Sequence, residues 1–134
     1  MTEAEARRLF AAARVARLAT VDASCRPHLV PIVFAAAGDV VFSAVDAKPK
    51  RTTRLRRLEN VRQDPRVSLL ADRYDDADWS ALWWVRADGL GRVLQDAPDA
   101  IALLASRYEQ YREAPPSGPV LAVDVERWTG WSAS

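Results

Sequence analysis

Apolar and polar positions come in blocks along this chain, and the period of the blocks changes at turn residues. Ala6, Leu9, Phe10 and Ala13 fall at i, i+3, i+4 and i+7, so one apolar stripe predicts a helix from Thr2 to about Arg14. Thr2 and Glu5 have capping-box spacing at its head. Arg17–Val21 reads as a strand, 22–26 as a turn, and Pro27–Ala36, rich in Val, Ile and Phe, as a second strand. Gly38-Asp39 closes a hairpin into a third strand, Val40–Val45. A basic segment then opens a helix in which Leu55, Leu58 and Val61 share a face, while Arg54, Arg56, Arg57 and Arg62 lie largely off it. Asp64-Pro65 ends that helix, because the residue before proline avoids helical geometry.

The second half repeats the alternation. Val67–Ala71 is a predicted strand and the acidic stretch 72–78 a loop. Ala81–Ala87 and Leu90–Leu94 form a predicted hairpin around Asp88-Gly89. Asp96 is the expected N-cap of a helix with Pro98 near its start, and Ile101, Leu104, Ala105 and Tyr108 give its stripe. Residues 113–119 are a loop, and Val120–Trp128 is a last strand before a Thr-Gly-Trp-Ser tail. The order is α, β, β, β, α, β, β, β, α, β. About seven short antiparallel strands predict a mostly β architecture, a closed or partly closed barrel with helices at its ends. At 134 residues, with no internal repeat, a single domain over 1–134 is expected.

Composition narrows the chemistry. Lys+Arg total 19 against 18 Asp+Glu, so the net charge of +1 argues against a general nucleic-acid binder. The single cysteine, Cys25, forms no intrachain disulfide, and Cys25 with His28 is too small a ligand set for structural zinc. The acidic N-terminus lacks the apolar core of a signal peptide, and no apolar run approaches the ~20 residues of a membrane span. The expected compartment is the cytoplasm.

Basic charge is instead concentrated locally. Lys48, Lys50, Arg51, Arg54, Arg56 and Arg57 lie within fifteen positions, 46–60. They follow a strand and open a helix, so cationic side chains and free backbone N–H groups converge. That combination suits a phosphate and points to a phosphorylated cofactor. The candidates are Lys48, Lys50, Arg51, Thr52, Arg54 and Arg57, with Ser43 near the end of the strand. Ser43 and Thr52 are hydroxyl donors or merely caps, and the plainer reading of the segment is a solvated basic face. Trp79, Trp83 and Trp84 offer flat aromatic surface for a ring, although adjacent Trp83 and Trp84 face opposite ways in a strand. Arg86 shares a face with Trp84, and either meets an anionic ligand or pairs with the acidic loop. Cys25 reads as an inert thiol.

Four segments, in order, carry a resemblance: 16–21 (ARLATV), 27–34 (PHLVPIVF), 58–70 (LENVRQDPRVSLL) and 83–93 (WWVRADGLGRV). The chain resembles the split β-barrel, FMN-binding-like proteins related to pyridoxamine 5′-phosphate oxidase. The runs 46–50 (DAKPK) and 78–86 (DWSALWWVR) look most like the actinobacterial branch that uses the deazaflavin coenzyme F-420. The resemblance implies a homodimer with two cofactor sites at the subunit interface. Each site takes its phosphate contacts from one chain, at the end of the third strand (Ser43, Ala44, Val45) and the start of the following helix, and part of its ring wall from the other. It also implies that the strand holding His28, Val30 and Pro31 runs beneath the ring. The implied function is an oxidoreductase acting on a small organic substrate, with coenzyme F-420, or alternatively FMN, carrying the chemistry. No catalytic nucleophile or acid–base triad is expected. A non-catalytic cofactor carrier, a haem-handling protein using His28, and an anion- or nucleic-acid-binding module are the remaining alternatives.

Overall fold

The computed structural model describes residues 1–44 and 52–134, with side chains from residue 56 onward in the second stretch. Helix α1 spans Glu3–Ala12, and Thr2 caps it by accepting from the Glu5 N–H at 3.1 Å. Strands β1 (Ala16–Val21), β2 (Pro27–Ile32), β3 (Ala35–Ala37) and β4 (Val40–Ala44) follow. Helix α2 covers Thr52–Gln63, and strand β5 covers Arg66–Arg73. A short 3-10 turn at Trp79–Ala81 leads into β6 (Trp83–Leu94), α3 (Pro98–Arg107), α4 (Glu109–Glu113) and β7 (Val120–Ser132).

The strands form one antiparallel sheet of seven, in the order β2-β1-β5-β6-β7-β4-β3. Its outer members, β2 and β3, are consecutive in the chain and separated only by Val33 and Phe34. The sheet thus curls until its two edges are stitched by covalent backbone, as in a split barrel. The predicted strand Pro27–Ala36 breaks at that stitch for a definite reason. Phe34 is fully buried, and its N–H and C=O are satisfied by Tyr108 and Arg107 rather than by a neighbouring strand. The curled sheet and α1 enclose a core in which Phe10 packs on Phe34 and Trp128, with ring centroids 4.8 and 5.4 Å apart.

Three further expectations are corrected. Asp88-Gly89 makes no hairpin, because β6 runs straight through it. The pairing with β7 slips there, Asp88 lying opposite Arg127 and Gly89 opposite Val125. A Cβ at residue 89 would collide with the Asp124 carbonyl oxygen, so the glycine serves a bulge and a close approach of backbones. The predicted tail is also strand: residues 129–132 pair with β6 residues 83–86. Asp96 is not an N-cap, since Ala97 holds that position without a side-chain bond and Pro98 opens α3. The strand total of seven therefore emerges from compensating differences, with one predicted strand split and two fused. Among the described residues no helix is long and apolar enough to cross a membrane.

Candidate functional site

The ends of β2 and β4, the middle of α2 and the α3–α4 corner surround a cleft of about 740 Å³. It is lined by Pro31, Ile32 and Val33 from the stitched edge, Ser43 and Ala44 from β4, and Arg57 from α2. Arg14, Tyr108, Tyr111 and the α4 carboxylates Glu109 and Glu113 complete it. Apolar backbone-rich walls, two tyrosines and two guanidinium groups suit a planar ligand bearing an anion.

Local sequence explains each placement. Pro31 has no N–H to give a ladder, and β2 is the edge strand where that costs nothing. Ser43 is buried, and its hydroxyl donates to the Val33 carbonyl at 3.0 Å. This bond ties β4 to the stitch, so the Ser43 hydroxyl proton is already engaged rather than offered to a phosphate. Asn60, one turn beyond Arg57, is buried and donates to the Thr20 hydroxyl at 3.0 Å, which anchors α2 to β1. The corner of α3 and α4 is fixed by Tyr108. Its hydroxyl accepts from Phe34 N–H at 3.1 Å and lies 2.9 Å from the carbonyls of Arg14 and Phe34.

Of the residues picked from sequence, Pro31, Ser43, Ala44 and Arg57 meet in this cleft. Val45, Lys48, Lys50 and Arg51 lie outside the described residues; Thr52 and Arg54 belong to α2 by backbone alone. His28 and Val30 are not in the cleft. Both share the inward face of β2, where His28 is paired with buried Thr20 and Val30 packs on the core. The His28 Nδ1 is buried with no hydrogen-bond partner. Position along the strand decides this: the cleft takes Pro31, Ile32 and Val33 at the end of β2, whereas His28 and Val30 lie further back toward its start.

Trp84 and Arg86 also stand away from the cleft, on the outward face of β6. Arg86 pairs with Asp88 on its own strand, Nε to Oδ2 at 3.1 Å, rather than with the acidic loop, and its guanidinium lies 6.0 Å from the Trp84 ring centroid. Trp83 faces the other way and packs against the core. Cys25 is exposed in the turn between β1 and β2, with φ of 62°. Among the described residues no cluster of His, Cys, Asp or Glu is arranged to hold a metal.

The sequence matches the pyridoxamine 5′-phosphate oxidase family over residues 2–132. The chain belongs to the pyridoxamine 5′-phosphate oxidase family. No curated protein matches it. Among solved structures the fold is similar to a conserved hypothetical protein of Mycobacterium tuberculosis, at 21% identity, covering 99% of this chain and 86% of that one with a TM-score of 0.78. It is similar also to an FAD-binding protein of Mesorhizobium loti (20% identity, 97% and 94% coverage, TM-score 0.74). A third likeness is to the haem storage protein HutZ of Vibrio cholerae (16% identity, 97% and 93% coverage, TM-score 0.70). At these identities the likenesses establish the fold: a sheet of the pyridoxamine 5′-phosphate oxidase type with flanking helices.

Sequence reasoning missed Arg14, Tyr108 and Tyr111 as cleft residues. Arg14 reads as a helix end and Tyr108 as part of an apolar stripe. The available signal was the pair Tyr108 and Tyr111, three apart, since two hydroxyl-bearing rings on one face of so short a segment are poor core.

Proposed function

We propose that this member of the family is an oxidoreductase that binds a flavin-type cofactor in the 740 Å³ cleft, with coenzyme F-420 as the preferred cofactor. The observation that carries the reading is the convergence of Pro31, Ala44 and Arg57, from three separate elements, on one cleft. Its chemistry fits the group: apolar and aromatic surface for a planar ring, and a guanidinium for a phosphate. When bound, a deazaflavin supplies two-electron hydride transfer, whereas FMN also permits one-electron and oxygen chemistry. The protein's part is to anchor the phosphate through Arg57 and the basic segment, to lay the ring along the edge strand at Pro31, and to keep a small substrate beside it. The F-420 preference rests on the resemblance of runs 46–50 and 78–86. FMN is the second reading, favoured by the likeness to a protein described as FAD-binding. A haem reading draws no support from His28, the sole histidine, which does not line the cleft.

The reading includes a homodimer. The outward face of the sheet carries Leu29 at 67% exposure, Leu70 at 40% and Trp131 at 47%, alongside Trp84 and the Arg86–Asp88 pair. An apolar sheet face of that kind favours burial against a second copy. Such packing is also the route by which Trp84 and Arg86 would border a cleft.

Titration of purified protein with F-420 and with FMN, followed by quenching of cofactor fluorescence, tests the proposal. Tighter binding of F-420 is expected. Charge removal at Lys50 and Arg57 together (both →Gln) weakens it by at least about tenfold with the fold intact by circular dichroism. Stronger FMN binding would move the protein to the flavin reading. Binding of neither would remove the enzymatic claim.

A further inference from the structure

Arg14 belongs to no candidate set read from the sequence, yet it lines the cleft. Its Nη2 donates to the Arg107 carbonyl at 2.9 Å, and its guanidinium carbon lies 4.7 Å from the centroid of the Tyr108 ring. The carbonyl of Arg14 in turn lies 2.9 Å from the Tyr108 hydroxyl. Side chain and backbone are therefore both held by residues 107 and 108. A guanidinium carries five N–H donors, and one bond to Arg107 leaves others to offer a ligand.

Two guanidinium groups meet at this corner. Among the described residues neither Arg14 nor Arg107 forms an ion pair. Arg107 spends its N–H groups on the carbonyls of Phe34 and Ala13, which satisfy its hydrogen bonds and leave its charge uncompensated. Burial pulls the Arg107 guanidinium below its usual range; Tyr108 opposes that shift, and the Arg14 charge adds to it to a lesser degree. Two cations held together without a carboxylate repel each other, and an anion placed on the exposed one relieves that cost. Glu109 and Glu113 line the same cleft, and among the described residues neither pairs with Arg14.

We propose that Arg14, mounted on Tyr108 and backed by Arg107, binds a phosphate or carboxylate group of a ligand in the cleft, at a point separate from α2. This deepens the cofactor reading and rests on it for the identity of the ligand. The anion is either part of the cofactor or part of a second small molecule beside it.

The test uses inorganic phosphate as probe. Unfolding midpoints of the full chain are followed against phosphate at constant ionic strength, for the wild type, Arg14→Gln and Arg14→Lys. The series is repeated in the Lys50→Gln/Arg57→Gln background, where the competing basic site is weakened. Arg14→Gln is expected to lower apparent phosphate affinity roughly fivefold to tenfold. Arg14→Lys should recover part of it, keeping the charge while losing the flat fork. Equal affinity for wild type and Arg14→Gln in both backgrounds would overturn the site. An Arg14-dependent response that survives saturating cofactor assigns the anion to a second ligand. Its loss at saturation, with weaker cofactor binding by Arg14→Gln, assigns it to the cofactor. If no cofactor binds while the phosphate response still depends on Arg14, the cofactor reading fails and the anion site stands.

Discussion

Asp64 at the end of α2 accepts from Arg66 twice through the side chain, at 2.9 and 2.7 Å, and once through its backbone N–H at 3.2 Å. Those bonds lower its pKa from 3.8 to about 2. Asp39 is lowered in the same sense, first by the Trp128 indole N–H and then by Arg7, and Asp124 by Arg92. A carboxylate with a depressed folded-state pKa contributes stability that is present above its unfolded value and lost as pH falls through its folded value. Acid unfolding should therefore steepen between pH about 4 and about 2. In Asp64→Asn the stability gap to the wild type should shrink steadily across that window, as read by urea denaturation at each pH. A gap independent of pH would mean that the pair exists without energetic consequence. Single residues were legible in sequence where local geometry dictates them, as with Thr2 capping α1 and Pro31 on an edge. They were illegible where a distant partner decides. Ser43 reads as a donor until Val33 claims its proton, and Arg14 reads as a helix end until Tyr108 fixes it.

At the scale of elements, α3 and α4 form one wall of the cleft, and the side chains of Tyr108 and Arg107 tie them to the Ala13–Arg14 and Phe34 backbone. Tyr108→Phe keeps the ring under Arg14 but leaves the buried Phe34 N–H without an acceptor. The expected cost is about 1–3 kcal/mol in chemical denaturation, with faster hydrogen exchange at Phe34 and across α4. A change below about 0.5 kcal/mol would show that the corner is held by packing alone. Periodicity found most elements because the inner face of each strand is evenly apolar. It misread Asp88-Gly89 because a bulge and a hairpin turn use the same residues, and only the length of the partner strand separates them. It ran Pro27–Ala36 as one strand because the break at Val33 and Phe34 is apolar throughout and lacks turn chemistry. The alternation that identifies β2 puts His28 on the inward face with Val30 and Ile32, and what it does not reveal is that the cleft takes only the Pro31–Val33 end of that strand.

For the whole molecule, the proposed dimer would bury the exposed Leu29, Leu70 and Trp131 of β2, β5 and β7. In the proposed dimer, Leu29→Glu combined with Trp131→Glu puts charge on that face without touching the core. The expected result is a shift from dimer to monomer in sedimentation velocity, with cofactor affinity falling at the same time. A wild-type protein that sediments as a monomer at all concentrations would remove the interface, and with it the role of Trp84 and Arg86. The sequence showed the barrel class through its strand count and its family words. It did not show where the cleft lies, because that depends on the curl of the sheet bringing Pro31 and Ser43 together from strands at nearly opposite ends of the order.

That curl also sets a timetable for biosynthesis. The Ser43 edge of the cleft is held by β4, and β4 pairs on its inner side with β7, Ala44 lying opposite Val120 and Ser43 opposite Leu121. A ribosome emitting this chain from its N-terminus releases Pro31, Ser43 and Arg57 early but must deliver residues beyond 120 before those groups have a fixed geometry. The cleft geometry therefore waits on β7, and until residues 120–124 are in place β4 presents an open edge to any other strand.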